Sequence, residues 1–194
     1  MPIQVLPSEV IDQIAAGEVV ERPAHLVKEL VENSLDAHAT KISVEFSEGG
    51  RFIKVSDNGQ GIAKAELAQA LQRFATSKIS QTEDLWKLHS FGFRGEALAS
   101  IAAVSRLSLV SRTSDSEKAF RLISQFGTPS PVDEVGGPMG TQIFVEELFA
   151  NVPARLKFMK TAAGEHTLIK QTLKALALSH SDVEFQIFEQ SELK

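Results

Sequence analysis

The sequence predicts an α+β domain, a two-layer sandwich with helices packed on one face of a mixed, largely antiparallel sheet. Three observations predict it. Several strand-like stretches follow one another with no helix between them, which a doubly wound fold would not allow. The helix starting near Pro23 carries one apolar stripe, suited to packing against a sheet. The chain of 194 residues, 43% hydrophobic and 23% charged, suits one domain with a sizeable core.

The elements follow in order. Ser8 is positioned to cap a short helix with apolar Val10, Ile11 and Ile14, and Gly17 is its expected stop. Pro23 suits the first turn of the next helix, where a missing N–H costs nothing. "KISVEFS" and "RFIKVSD" alternate Ile42, Val44, Phe46 and Ile53, Val55, Asp57 around the turn "EGG", a hairpin with one buried face. "KAELAQALQRF" reads as a helix, "ATSKISQTEDLWKLHS" as a loop with partial helix, and "GEALASIAAV" as a helix again. "RLSLVSRT", "KAFRLISQF" and "TQIFVEEL" read as strands interrupted by "GTPSPVDEVGGPMG". A helix holding Leu168, Ile169, Leu173, Leu176 and Ala177 precedes a last strand, "VEFQIFE".

Bulk properties exclude several classes of function. A formal charge of −5 offers no standing attraction to nucleic acid or anionic lipid. The absence of cysteine excludes disulfides and thiolate chemistry, and fits a cytoplasmic protein. No basic region followed by an apolar run marks a signal peptide, and no stretch is apolar enough to span a membrane. The five histidines are scattered without metal-ligand spacing. Arg155, Lys157 and Lys160 offer a DNA-binding reading, but a few cations on an acidic domain are more often a solvated face.

Three stretches carry candidate chemistry. In "KELVENSLDA", the apolar stripe is Leu26, Val27, Leu30, Val31 and Leu35; Lys28, Glu32 and His25 lie opposite. Glu29 and Asn33, spaced i,i+4, share one border of the stripe, where an amide oxygen beside a carboxylate suits Mg²⁺ as well as a plain solvated flank. In "VSDNGQGIA", Asp57 has core parity but no evident donor nearby, and Gly59 and Gly61 allow close backbone approach or a simple turn. The third glycine of a dinucleotide fingerprint is replaced by Lys64, and the chain has no P-loop. In "SFGFRGEALASI", Gly92 and Gly95 bracket a loop opening into a helix, a setting for phosphate together with Arg94, Thr76, Ser77 and Lys78. Glu96 in the first turn would favour the helix dipole even without a ligand.

The helix E-x-x-x-N, "DNGQGI", "GFRGEALASI" and "GTQIFV" occur here in the order of the GHKL nucleotide-binding fold. "QIAAGEVVERP", "KELVENSLDA", "ATSKI", "GFRGEALASI" and "LFANVPARLKF" narrow the match: from Met1 to about Phe158 the chain resembles the N-terminal ATPase region of MutL mismatch-repair proteins. The resemblance implies a Bergerat-type fold that binds ATP with Mg²⁺ and hydrolyses it to drive a conformational change. It assigns Glu29 as general base, Asn33 as Mg²⁺ ligand and Asp57 as acceptor for the adenine amino group. Gly61 would approach the nucleotide and Thr141 would help at the adenine end. Thr76, Ser77, Lys78 and the loop of Gly92, Phe93, Arg94, Gly95, Glu96, Ala97 and Leu98 would form the lid over the triphosphate, mobile without ligand from Ala75 to Ser90; Glu32 would stay solvated.

The implied partners are a mismatch-recognition protein of the MutS type, DNA in the full-length protein, and a second copy. Self-association would use further domains and, with ATP, the N-terminal region. Residues 1–194 are expected to be one ATP-binding domain cut from a longer protein, lacking the second subdomain's lysine and a C-terminal dimerisation domain. On that expectation the isolated domain binds nucleotide weakly and is nearly inactive. A nucleotide-gated interaction module whose slow hydrolysis acts as a timer is the alternative, as is another GHKL member. His38 stands where the family usually has glycine, and Ala150 and Val152 where tyrosine and threonine are usual.

Overall fold

The structure, a computed structural model, describes residues 3–76 and 95–194. Two helices, α1 (Ser8–Val19) and α2 (Pro23–Asp36), lead into the hairpin of β1 (Lys41–Ser47) and β2 (Phe52–Asp57), joined by a 3-10 turn at Glu48–Gly50. The short α3 (Leu67–Ala70) and α4 (Ala97–Ala103) precede β3 (Arg106–Arg112), β4 (Ala119–Gln125), β5 (Thr128–Pro129), β6 (Asp133–Val135) and β7 (Gly140–Glu146). The chain continues through α5 (Pro153–Phe158), α6 (Ala162–Ser179), β8 (Glu184–Glu189) and β9 (Glu192–Leu193). Among the described residues the strands form one sheet in the order β5-β4-β3-β7-β2-β1-β8-β9, with β6 also paired to β4. Only β1–β8 is a parallel pair, so the sheet is mixed and largely antiparallel, as expected.

Strand alternation decides which face is covered. Ile42, Val44, Phe46, Ile53, Val55, Leu107, Leu109, Ile143 and Val145 are buried, while their neighbours along each strand are exposed or half-buried. Leu26, Val27, Leu30 and Val31 of α2 join this core, each worth about 1.5–3 kcal/mol when fully buried. α2 packs against β1, β2, α4 and α6, which fixes the flank of α2 relative to the end of β2.

The structure corrects several local expectations. α1 starts at Ser8, but Pro7 is the N-cap, and the helix runs through Gly17 to Val19. Its Val10, Ile11 and Ile14 are exposed, and Ala16 and Val20 are the residues that enter the core. Gly17 lies beside Arg155: a Cβ there would displace the end of that flexible side chain, whose Nη1 donates to Val20 O at 2.5 Å. The helix expected in "KAELAQALQRF" shrinks to the four residues of α3. His38, where glycine is usual, takes the positive φ of 58° that follows the C-terminus of α2. Val152 is the N-cap of α5, offers no capping hydrogen bond, and packs against the core.

Among the histidines, His166 is built into the fold. Gly49 N donates to its Nε2 at 3.0 Å, so the ring proton lies on Nδ1 and is donated to Glu189 Oε1 at 2.9 Å. Lys170 Nζ donates to the other Glu189 oxygen at 3.0 Å and, with His166, holds that carboxyl below its ordinary range. This chain ties α6 and β8 to the β1–β2 turn. His166→Ala strands the buried Gly49 N–H and is expected to cost about 1–3 kcal/mol in urea denaturation. An unchanged midpoint would mean that water replaces the imidazole.

Candidate functional site

The site lies where the ends of β2 and β3 and the start of β7 meet the flank of α2. Ser111 pairs with Thr141 across β3 and β7. Thr141 N in turn donates to Asp57 Oδ1 at 3.2 Å. Three polar residues thus stand side by side at the edge of the core.

Asp57 is partly buried and held by donors from three segments. Gly59 N donates to Oδ1 at 2.9 Å, and Ser34 Oγ, on α2, donates to Oδ2 at 2.9 Å. The donors that the local sequence does not supply therefore come mostly from elsewhere in the chain. An ionised carboxylate has about four lone-pair sites. Two donors on Oδ1 and one on Oδ2 leave a single acceptor position, on Oδ2, for an incoming N–H. Burial pushes the Asp57 carboxyl above its ordinary range; the bonds from Gly59, Ser34 and Thr141 oppose that shift without cancelling it.

The loop after β2 is held from both sides. Asn58 Oδ1 accepts from the backbone of Thr40 and Lys41, each at 2.9 Å, and Gln60 N donates to Ala37 O at the end of α2. Gly61 has φ 75°, and a Cβ there would collide with the carbonyl of Arg112 at the end of β3. Its glycine is thus already required by the approach of two backbones. Gly140 has φ 105°, and a Cβ would strike the carbonyl of Asp57. Gly140→Ala is accordingly expected to destabilise the domain by more than about 1 kcal/mol and to displace Asp57. Thermal unfolding tests the first effect and nucleotide affinity the second.

Glu29 and Asn33 are both half-buried on the α2 flank, as their spacing predicts. Ser34, next to Asn33, ties that flank directly to Asp57. Glu32 corrects an expectation: its side chain is only 11% exposed, Lys28 Nζ lies 3.5 Å from Oε1, and Oε2 is buried with no hydrogen bond among the described residues. Its carboxylate lies against the protein instead of in water.

Of the phosphate-loop candidates, Thr76 and Gly95 stand at the two described ends of the loop. Phe74 N donates to Gly95 O at 2.9 Å, which holds those ends together. Glu96 is the N-cap of α4 and pairs with Arg73 at 3.0 Å; Ala97 opens the helix, and Leu98 packs on the core. Ser77, Lys78, Gly92, Phe93 and Arg94, and most of the expected lid, lie outside the described residues. Among the described residues no group of three or more His, Cys, Asp or Glu side chains could hold a metal. None of their helices is long and apolar enough to cross a membrane.

Ser34 and Ser111 are the members of the site that sequence reasoning missed. Each carries a signal. Ser34 interrupts the apolar face of α2 one turn after Leu30, and Ser111 continues the core parity of Leu107 and Leu109.

Known proteins are similar to this chain in sequence and in fold. The chain is similar to the DNA mismatch repair protein MutL of Shewanella amazonensis, 52% identical over 189 residues, covering 96% of this chain and 29% of that protein. It is also similar to MutL of Agathobacter rectalis, 48% identical over 193 residues, covering 99% and 30%. The chain therefore spans about three tenths of the length of these relatives. In structure it is similar to the Aquifex aeolicus MutL ATPase domain complexed with ADP, with a TM-score of 0.72 and 36% identity over 91% of this chain and 63% of that one. The N-terminal domain of a DNA repair protein superposes with a TM-score of 0.77 and 30% identity over 92% and 52%. Residues 21–128, more than half the chain and all of the α2 and β2 elements of the site, match one family, and the chain belongs to it: the histidine kinase-, DNA gyrase B- and HSP90-like ATPases.

Proposed function

We propose that this chain is the ATP-binding and ATP-hydrolysing module of a MutL-type DNA mismatch repair protein. The observation that carries the reading is Asp57. Its carboxylate is half-buried, held by three donors and left with one acceptor position, beside the flank that bears Glu29 and Asn33. Such a group recognises an exocyclic amino group, and in a member of this ATPase family that is the 6-amino group of adenine. The relative solved with ADP, whose fold covers 91% of this chain, supports an adenine nucleotide.

In this reading Asp57 accepts from the adenine amino group and Thr141 stands beside it. Glu29 takes a proton from the water that attacks the γ-phosphate. Asn33 would hold Mg²⁺ through its amide oxygen, and the ion would supply neutralisation of charge at the phosphates. Mg²⁺ fits this donor set, because it keeps several waters, takes phosphate oxygens and needs no cage of protein carboxylates. Thr76, Ser77, Lys78 and the loop from Gly92 to Leu98 contribute backbone and side-chain donors to the phosphates. Titrating a non-hydrolysable ATP analogue with and without Mg²⁺ tests the assignment. Asn33→Ala is expected to remove the gain in affinity that Mg²⁺ confers and to leave metal-free binding in place. Equal loss in both conditions would give Asn33 another role.

Through its place in a longer protein, the module would couple nucleotide binding to a MutS-type partner, to DNA and to a second copy in the cytoplasm. Similarity to MutL proteins supports the first two. Exposed Ile3, Val5, Leu6, Val10, Ile11 and Ile14 support self-association through the N-terminal region, since clustered apolar surface marks interaction sites.

A further inference from the structure

Asn58 and Gly59 form the dipeptide with the least steric resistance to deamidation, since glycine has no Cβ to shield its nitrogen. In that reaction Gly59 N attacks the Asn58 side-chain carbonyl carbon. The N–Cγ bond forms, the Cγ–Nδ2 bond breaks, and ammonia leaves with the proton that Gly59 N gives up through hydroxide. Water then opens the succinimide at either carbonyl, to aspartate or isoaspartate. Packing demands glycine at this position, because a Cβ on Gly59 would lie 2.7 Å from Ala37 O. Asn58 is exposed, so water and hydroxide reach it.

The folded chain opposes each step of the attack. Thr40 N and Lys41 N can only donate, and both donate to Asn58 Oδ1 at 2.9 Å, which fixes the carboxamide's orientation. Nδ2 donates to Thr40 Oγ1 at 2.8 Å. Gly59 N is buried and donates to Asp57 Oδ1 at 2.9 Å, so losing its proton would set two negative charges side by side. Cyclisation expels Nδ2 and strips Gly59 N of its proton, which forfeits two of these bonds outright. It also draws Cγ toward Gly59 N against the two that hold Oδ1. We propose that Asn58 is a modification site kept shut by the fold, deamidating only when its clamp to Thr40, Lys41 and Asp57 opens. The chemistry at Asn58 is independent of any ligand; its effect on nucleotide binding rests on reading Asp57 as the adenine anchor. Isoaspartate routes the main chain through Cγ, which carries Gly59 N away from Asp57 and removes one of that carboxylate's donors.

In the test, the full-length protein and a free peptide of residues 55–62 are aged side by side at mildly alkaline pH. Aspartate and isoaspartate at residue 58 are followed by peptide mapping and mass spectrometry. The peptide gives the rate of the open dipeptide, and the protein is expected to react about a hundredfold more slowly, the worth of two or more hydrogen bonds. Thr40→Val keeps the shape and the N–H but removes the acceptor for Nδ2. It is expected to raise the rate about tenfold, whereas Thr40→Ser, which retains a hydroxyl, must stay at the wild-type rate. A Thr40→Val rate equal to wild type overturns the proposal. So does an equal rise in His166→Ala, which weakens the fold at the turn end of the β1–β2 hairpin, away from Asn58. Should Thr40→Val fail to fold, the protein and the peptide still decide, because equal rates overturn the proposal. Aged Thr40→Val is then fractionated on an immobilised non-hydrolysable ATP analogue, with isoaspartate expected in the unbound fraction. Isoaspartate shared equally between the fractions refutes the link to nucleotide, while the rates by themselves establish or refute the site.

Discussion

Glu29→Ala in the full-length protein is expected to lower kcat for ATP hydrolysis by about 10²–10⁴-fold while nucleotide affinity changes little. The expectation follows from what each side chain would touch. Glu29 is half-buried on the same flank of α2 as Asn33, one turn apart, while the donors that hold Asp57 are Ser34, Gly59 and Thr141. A base that takes a proton from water contributes in the transition state and not to holding the base or the phosphates. Removing it therefore separates kcat from binding. Single-turnover hydrolysis and equilibrium binding of the same variant check both halves. A parallel fall in affinity would make Glu29 a binding residue and send the search for the base elsewhere.

What could be read from the sequence was whatever depends on neighbours along the chain. The β1–β2 hairpin was legible because Ile42, Val44, Phe46, Ile53 and Val55 alternate with polar residues, and all five are buried. The α2 flank was legible because i,i+4 spacing places Glu29 beside Asn33 whatever surrounds the helix. α1 was not. Its Val10, Ile11 and Ile14 have helical spacing yet face outward, and Gly17 lies inside α1 instead of ending it. Asp57 falls between these cases. Parity showed that it points toward the core, but its donors come from residues 34, 59 and 141, which only the folded sheet brings together. The role of Gly61 was likewise hidden, because the backbone it must clear belongs to Arg112.

Asp57→Asn is expected to reduce ATP affinity by about ten- to a hundredfold, the worth of a charge-assisted hydrogen bond, while the fold survives. An asparagine keeps the bonds that hold this side chain: Oδ1 still accepts from Gly59 N and Thr141 N, and Ser34 can give its proton to Leu30 O, 3.2 Å away, and accept from Nδ2. The amide N–H groups then occupy the position where the adenine amino group needs an acceptor. The pH dependence of stability supplies an independent check. Burial raises the Asp57 pKa in the folded state. Between the ordinary carboxyl pKa and that raised value, the folded protein holds a proton that the unfolded chain has released. Stability from this group is therefore fully present below the ordinary pKa and is lost as pH rises through the raised one. Asp57→Asn removes that loss. Across this window the wild type should lose stability relative to the variant as pH increases, measured as the difference between their urea midpoints. A difference that stayed flat would mean that the three donors fully offset the burial. A variant that also bound ATP normally would place the adenine amino group at some other acceptor.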